Sequence, residues 1–380
     1  MSIAVGAVGS ISDRRRAWVR EAVRRIEADF QRSSDTHLIP LTLEGFAGVA
    51  LYLKDESSHP TGSLKHRLAR SLFLHALCNG WLHEGSHIVE ASSGSTAISE
   101  AYFARLLGLP FTAVMPSGTS PQKIAAIEFH GGRCRLVDDP HAIDATCRQL
   151  VRDTGGHFMD QFTHAERATD WRANNNIAES IYQQMKCEPH PCPTWIVASA
   201  GTGGTLATVG RYMHYGRHDT RVCGADAERS VFFDHYVSGD ASLTLPEGSR
   251  IEGIGRPRVE ASFVPGALDA MVKVPDLWSL AAMHALSVRL GRRVGGSTGT
   301  NLIASLACAR AMQQRGQEGA IVTLLCDDGE RYRHSYFNDD WLQAQGLDCG
   351  PESDAVEALM QRGDWPEALR RQWRLAGDLA

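Results

Sequence analysis

Lys65, in the run Pro60-Thr61-Gly62-Ser63-Leu64-Lys65-His66-Arg67, stands in the first turn of an expected helix, straight after a turn signal. An ammonium group ordinarily reaches water, so a lone lysine of this kind carries no chemistry by itself. Two further loops change its meaning. Ser92-Ser93-Gly94-Ser95-Thr96 offers hydroxyls and backbone N–H groups suited to a carboxylate. Gly201-Thr202-Gly203-Gly204-Thr205 offers a cluster of N–H donors suited to a phosphate.

Each loop also has a plainer reading. Gly201 to Thr205 lies between an expected strand and a helix N-terminus, where the helix dipole favours negative charge. It could equally be a tight strand–helix turn. A dinucleotide fold is a sharper rival, because Asp226 follows a strand about 20 residues on; however, the third glycine of G-x-G-x-x-G falls at Leu206. No Gly-Lys-Ser/Thr completes a P-loop. Hydroxyls at a helix start often only cap it, but four hydroxyl residues in five around Gly94 exceed what one cap needs. A third loop, Gly295-Gly296-Ser297-Thr298-Gly299-Thr300, also precedes a helix and could set a hydroxyl beside a heterocycle. An amine, a carboxylate site and a phosphate site together equip a chain for amino-acid chemistry on pyridoxal phosphate.

These loops need a scaffold, and the hydropathy pattern supplies one. Asp13 to Arg32 reads as an amphipathic helix, with Trp18, Val19, Ala22, Val23, Ile26 and Phe30 on one side. A strand is expected at Val49 to Leu53. The Lys65 helix follows, with Leu64, Leu68, Leu72 and Ala76 at i+4 spacing. Strand, turn and helix then alternate: strands at Ile88–Ala91, Phe111–Met115, Cys134–Val137, Trp195–Ala198, Val222–Ala225 and Ile321–Leu325, with helices between. That rhythm argues for an α/β fold with parallel twisted sheets and helices on both faces. In such sheets ligands gather at the carboxyl ends of strands, where both the glycine-rich and the serine-rich loop sit. A lobe division is expected near 155–165.

Composition narrows the class. A chain of 380 residues, 43% hydrophobic and 22% charged, describes a globular protein with room for two lobes. The net charge of −5 gives no electrostatic reason to expect nucleic acid. The basic run Arg14-Arg15-Arg16, continued by Arg20, Arg24 and Arg25, is interspersed with Glu21, Glu27 and Asp29 and reads as a solvated helix face. Nine scattered cysteines form no disulfide framework, which fits a reducing cytoplasmic setting. Cys187 and Cys192 around His190 lack a second ligand pair, so no metal site is expected. Neither an N-terminal apolar h-region nor a run of about 18 apolar residues is present, so neither secretion nor membrane spanning is expected.

Taken together, Lys65 in Thr-Gly-Ser-Leu-Lys, Ser-Ser-Gly-Ser-Thr, Gly-Thr-Gly-Gly-Thr, Glu252-Gly253-Ile254-Gly255, Gly-Gly-Ser-Thr-Gly and Asp328-Gly329-Glu330-Arg331-Tyr332 resemble the cysteine synthase and cystathionine β-synthase branch of fold-type II pyridoxal-phosphate enzymes. The resemblance runs from Thr36 to Trp341, and the wording of the first two motifs is most like bacterial L-cysteine desulfhydrases. It implies a two-lobed tryptophan synthase β-like architecture: a small, mobile lobe over 59–164 and a large lobe from 13–58 and 165–341. Residues 342–380 form an extension with no assigned role.

By the same resemblance, Lys65 carries the cofactor covalently. Gly201, Thr202, Gly203, Gly204 and Thr205 hold its phosphate, and Ser297 faces the pyridine nitrogen. Ser92, Ser93, Thr96 and Gln161 bind the substrate carboxylate, and Gly253 to Gly255 form the opposite wall. Ser95 replaces the asparagine that usually meets the ring's 3′-oxygen, and its shorter side chain puts that contact in doubt. Arg256-Pro257-Arg258 is a second departure, read as solvated loop arginines rather than a specificity element. The implied activity is β-elimination from L-cysteine to sulfide, pyruvate and ammonia. A β-replacement enzyme of the cysteine synthase kind is the alternative, and a serine/threonine dehydratase the second. The usual phosphate loop of dehydratases is a glycine run ending in an aliphatic residue, whereas Thr202 and Thr205 stand here. A partner-binding protein on a degenerate fold has no need of the lysine. A homodimer is implied as well.

Overall fold

The computed structural model describes the backbone of residues 5–379 and side chains from residue 12 on. In chain order the elements begin with α1 (Val5–Gln31), β1 (His37–Leu41), β2 (Val49–Asp55), α2 (Lys65–Cys78), β3 (Ile88–Ala91), α3 (Ser95–Leu107), β4 (Phe111–Pro116), α4 (Pro121–Phe129) and β5 (Arg133–Val137). Next come α5 (Ile143–Thr154), β6 (His157–Phe158), α6 (Gln161–Ala168), α7 (Ile177–Met185), β7 (Trp195–Ser199), α8 (Gly204–Gly216), β8 (Arg221–Ala227) and α9 (Phe232–Ser238). The chain ends with β9 (Ala270–Val274), α10 (Asp276–Leu290), α11 (Gly296–Gln314), β10 (Gly319–Leu325), α12 (Asp339–Ala344), α13 (Gly350–Arg362), α14 (Glu367–Gln372) and β11 (Arg374–Gly377).

The chain divides into two compact units. One runs through α1 to Asp35 and resumes over Lys65–His164; the other takes Thr36–Leu64 and everything from Ala165 onward. The first unit holds a four-stranded parallel sheet in the order β5-β4-β3-β6. The second holds a seven-stranded sheet, β1-β2-β10-β7-β8-β9-β11, parallel within and flanked by antiparallel edge strands β1 and β11. Its central strands are buried along their whole length, Trp-Ile-Val-Ala-Ser in β7 and Gly-Ala-Ile-Val-Thr-Leu-Leu in β10. Continuous apolar runs of this kind are what a parallel sheet covered on both faces requires.

Three features differ from the sequence expectation. The helix over 13–32 was assigned to the large lobe, yet α1 packs in the first unit. Ala22 and Ile26 are buried, Arg70 of α2 bonds the Glu27 carboxylate at 3.0 Å, and the Tyr102 hydroxyl of α3 donates to Asp29 at 2.9 Å. Residues 59–64, expected in the small lobe, belong to the second unit because hydrogen bonds tie them to the segment after β10. Residues 342–380 are not an appendage. Leu347, Val356, Leu359, Met360 and Leu369 join the core of the second unit, and β11 closes its sheet by pairing with β9.

Candidate functional site

The turn before Lys65 is held by the second unit's own backbone. Gly62 N–H donates to His59 O at 2.8 Å, Asp328 N–H to Gly62 O at 3.0 Å, and Leu64 N–H to Cys326 O at 2.8 Å. Arg331 Nη2 donates to Thr61 O and Gly62 O at 3.2 and 3.1 Å. Gly62 has φ +68°, and a Cβ there would lie 3.1 Å from Arg331 Nη2. Glycine is therefore needed both for the left-handed turn and for the arginine. Lys65, half-buried, is the first residue of α2.

In the first unit the serine-rich loop runs from the end of β3 into α3. Gly94 is the N-cap, and its N–H donates to Ser92 Oγ at 3.2 Å. The first-turn N–H groups of α3, from Ser95 on, have no partner within the helix, and with the helix dipole they favour an anion. Ser92, Ser93 and Ser95 are half-buried, Thr96 buried. Thr96 Oγ1 donates to Gln161 Oε1 at 2.7 Å. The fold thus brings Gln161 to this loop from 65 residues away, as the first residue of α6. Beneath them lie two fully buried acids that no local motif announces, Glu90 on β3 and Glu100 on α3. The only signal in the sequence was the charge of Glu90 inside the apolar strand Ile88–Ala91.

In the second unit Gly201 to Thr205 connect β7 to α8. Gly203 is the N-cap, with φ +93°. A Cβ on Gly201 would stand 2.2 Å from Gly253 O, and one on Gly203 would stand 2.6 Å from Phe263 Cα and Ser262 O. A Cβ on Gly204 would meet Ala165 at 2.9 Å. Backbone on three sides therefore demands glycine, and Gly201 touches Gly253 of the expected opposite wall. That wall is tied back by Gly255 N–H donating to Ala200 O at 2.7 Å. Thr202 is buried and its Oγ1 accepts from Gly204 N–H at 3.3 Å. Ser199 Oγ, two residues upstream of the loop, is buried without a hydrogen-bond partner.

Ser297 is buried at the start of α11. What read as a loop before a helix is itself helical from Gly296, and its neighbours are committed to structure. Cys326 N–H donates to Thr298 Oγ1 at 3.1 Å, and Thr300 Oγ1 to Ser279 Oγ at 2.8 Å. Gly295 lies against Asp327, whose Oδ2 accepts from the Tyr332 hydroxyl at 2.5 Å. Arg256 and Arg258 both reach the buried carboxylate of Glu260, at 2.7 and 3.2 Å. Arg258 is exposed and Arg256 half-buried, so both are loop arginines that pair with Glu260 at the protein surface.

A helix-N-terminal cradle of glycines with a buried, unpartnered hydroxyl beside it fits a phosphate ester. A hydroxyl-rich helix start braced by a carboxamide fits an amino-acid carboxylate. The residues present thus suit pyridoxal phosphate and its amino-acid substrates.

Comparison with known proteins points the same way. A family model described as "Pyridoxal-phosphate dependent enzyme" matches residues 31–327. The chain is 57% identical over 357 residues to L-cysteine desulfhydrase Cds1 of Mycobacterium tuberculosis (strain ATCC 25177 / H37Ra), covering 93% of this chain and 97% of that one. It is 28% identical to cysteine synthase 2 of Schizosaccharomyces pombe (strain 972 / ATCC 24843), covering 80% and 82%. Among solved structures, O-ureido-L-serine synthase superposes with a TM-score of 0.67 at 25% identity, over 81% of this chain and 96% of that one.

Proposed function

We propose that this chain, which belongs to the pyridoxal-phosphate-dependent enzyme family, eliminates the β-substituent of L-cysteine. One cysteine and one water give hydrogen sulfide, pyruvate and ammonia. The observation that carries this reading is the 57% identity, over nearly the whole of both chains, to a protein named for that activity. Bound pyridoxal phosphate supplies the sink for the electron pair left at the substrate α-carbon.

The chain's own residues do the rest. Lys65 would hold the cofactor, and its Nζ, when free, would take the substrate α-proton as general base. Gly201 to Thr205 would hold the phosphate through backbone N–H groups, with the Thr202 and Thr205 hydroxyls alongside. Ser95 and Ser297 would meet the ring, and Ser297, as a neutral hydroxyl, would bring no negative charge to keep a ring nitrogen protonated. Ser92, Ser93, Thr96 and Gln161 bind the substrate carboxylate, and Gly253 walls the site.

The enzyme acts as a homodimer in the cytoplasm on this reading. Light scattering tests the first point, with twice 41.5 kDa expected. Among the described residues no helix is long and apolar enough to cross a membrane. Incubation with L-cysteine alone tests the activity: pyruvate and sulfide should appear in equal amounts. Turnover only with O-acetylserine plus sulfide would reject elimination in favour of replacement, and ammonia from serine or threonine alone would point to a dehydratase.

A further inference from the structure

Glu90 and Glu100 flank the serine-rich loop in sequence, one just before it on β3 and one in the second turn of α3. Both are completely buried. Two adjacent carboxylates in a low-dielectric interior cannot both stay ionised. Their partners differ. Glu90 accepts from Ala91 N–H at 2.7 Å, from Gln161 N–H at 3.3 Å and, at 3.5 Å, from Gln161 Nε2. The Glu100 oxygens have no hydrogen-bond partner, and the charge they feel most is that of Glu90. The arrangement that satisfies both places one proton on Glu100 and donates it to an ionised Glu90.

We propose that this one-proton carboxyl pair is the positioning device of the substrate-carboxylate loop: Glu100 steadies Glu90 as an anion, Glu90 anchors Gln161, and Gln161 holds the Thr96 hydroxyl. The inference rests on the reading of Ser92, Ser93, Thr96 and Gln161 as the carboxylate site. A carboxamide is free to flip, and Glu90 decides which way it points. An anion accepts only from N–H, so Gln161 Nε2 turns toward Glu90 and Ala91 O, and Oε1 toward Thr96.

The pair also sets an alkaline limit. Burial, then the charge of the partner acid, pushes Glu100 well above the usual carboxylate range. Burial likewise pushes Glu90 upward, with Asp160 at the entry to α6 adding to the effect. Other titratable groups stand around the pair. Cys147 of α5, pushed up to about 12 by burial, stays a neutral thiol; Asp144 and Arg148 act on it with opposite sign. His157 of β6, pushed down to about 4 by burial, is neutral throughout. His66 and Arg70 of α2 turn to Tyr102, Phe103 and Glu27, and His130, beyond α4, turns to Tyr102. Once the shared proton leaves, two anions repel beneath the loop and Gln161 loses its anchor.

Two measurements test this. Glu100→Gln keeps a donor toward Glu90 but cannot ionise; Glu90→Gln removes the anion. In the holoenzyme, the wild-type KM for L-cysteine should rise about fivefold relative to Glu100→Gln between about pH 6.5 and pH 9, while the ratio of their kcat values stays level. Glu90→Gln should raise KM about tenfold at neutral pH with a much smaller change in kcat. The infrared spectrum of the cofactor-free protein should contain a buried protonated-carboxyl band that Glu100→Gln lacks. A missing band in the wild type, an equal KM rise in Glu100→Gln, or an unmoved KM in Glu90→Gln each overturns the proposal. Failure of the wild type to turn over cysteine refutes the desulfhydrase reading instead, and the infrared band still decides the shared proton.

Discussion

The acid pair makes folding stability depend on pH, and the sign follows from where the proton sits. An unfolded glutamate loses its proton near 4.5, whereas burial and the partner acid raise the proton affinity of Glu100 in the folded protein. Above 4.5 the native state therefore binds more protons than the unfolded chain, so stability is fully present below 4.5 and drains away as pH rises. Other buried groups act in the lower part of that range. Asp226, raised to about 6 by burial, loses its contribution by that pH. His157, lowered to about 4, and His87, His130 and His284, also lowered by burial, add stability only until an unfolded histidine is neutral, near 6.5. From pH 6.5 to 8 the acid pair therefore stands alone among these and should cost up to about 1.4 kcal/mol per pH unit. Urea unfolding at several pH values in this interval measures it. Glu100→Gln should lose clearly less than the wild type at an unchanged m-value. Equal losses would refute the shared-proton argument.

Three substitutions probe the other parts. Gly203→Ala forces a side chain into φ +93° with backbone 2.6 Å away, and should cost about 3 kcal/mol in urea unfolding and strip the cofactor during gel filtration; a variant as stable and as coloured as the parent would contradict it. Leu359→Ala, in the buried face of α13, should cost about 2–5 kcal/mol, a loss below about 1 showing that the C-terminal segment contributes little to the core. Lys65→Ala should keep the fold by circular dichroism yet lose both pyruvate formation and the visible absorbance of bound cofactor; persistence of either rules out Lys65 as its attachment point.

Much of the second unit was legible because its signals are local. The strand β7, the glycine loop and α8 follow each other without interruption, and every glycine in the loop answers to a nearby backbone contact. Lys65 opens a helix as its turn signal implied. Where α1 packs was not legible, because periodicity tells that a helix has an apolar face but not which layer receives it. The C-terminal segment was opaque for a related reason. Its apolar residues are interleaved with charges, and β11 is a four-residue edge strand whose identity depends on β9 lying beside it. Glu90 and Glu100 escaped notice because ten positions of sequence separate them and only the strand–helix return brings them together.

The two loops proposed here to bind anions are built by different means. Gly201 to Thr205 contains no basic residue, and the nearest arginine on α8, Arg211, is spent on Glu166. A cradle of N–H dipoles fixed by backbone contacts suits an anion that stays for many turnovers, since nothing in it has to move. The carboxylate of a substrate must arrive and leave with each cycle. Placing an ionised Glu90 under the loop that receives it costs binding energy through like-charge repulsion, yet it sharpens the geometry of Gln161. Affinity is thereby held down while orientation is kept, which suits an enzyme that must release the remnant of its substrate rather than retain it for a second reactant.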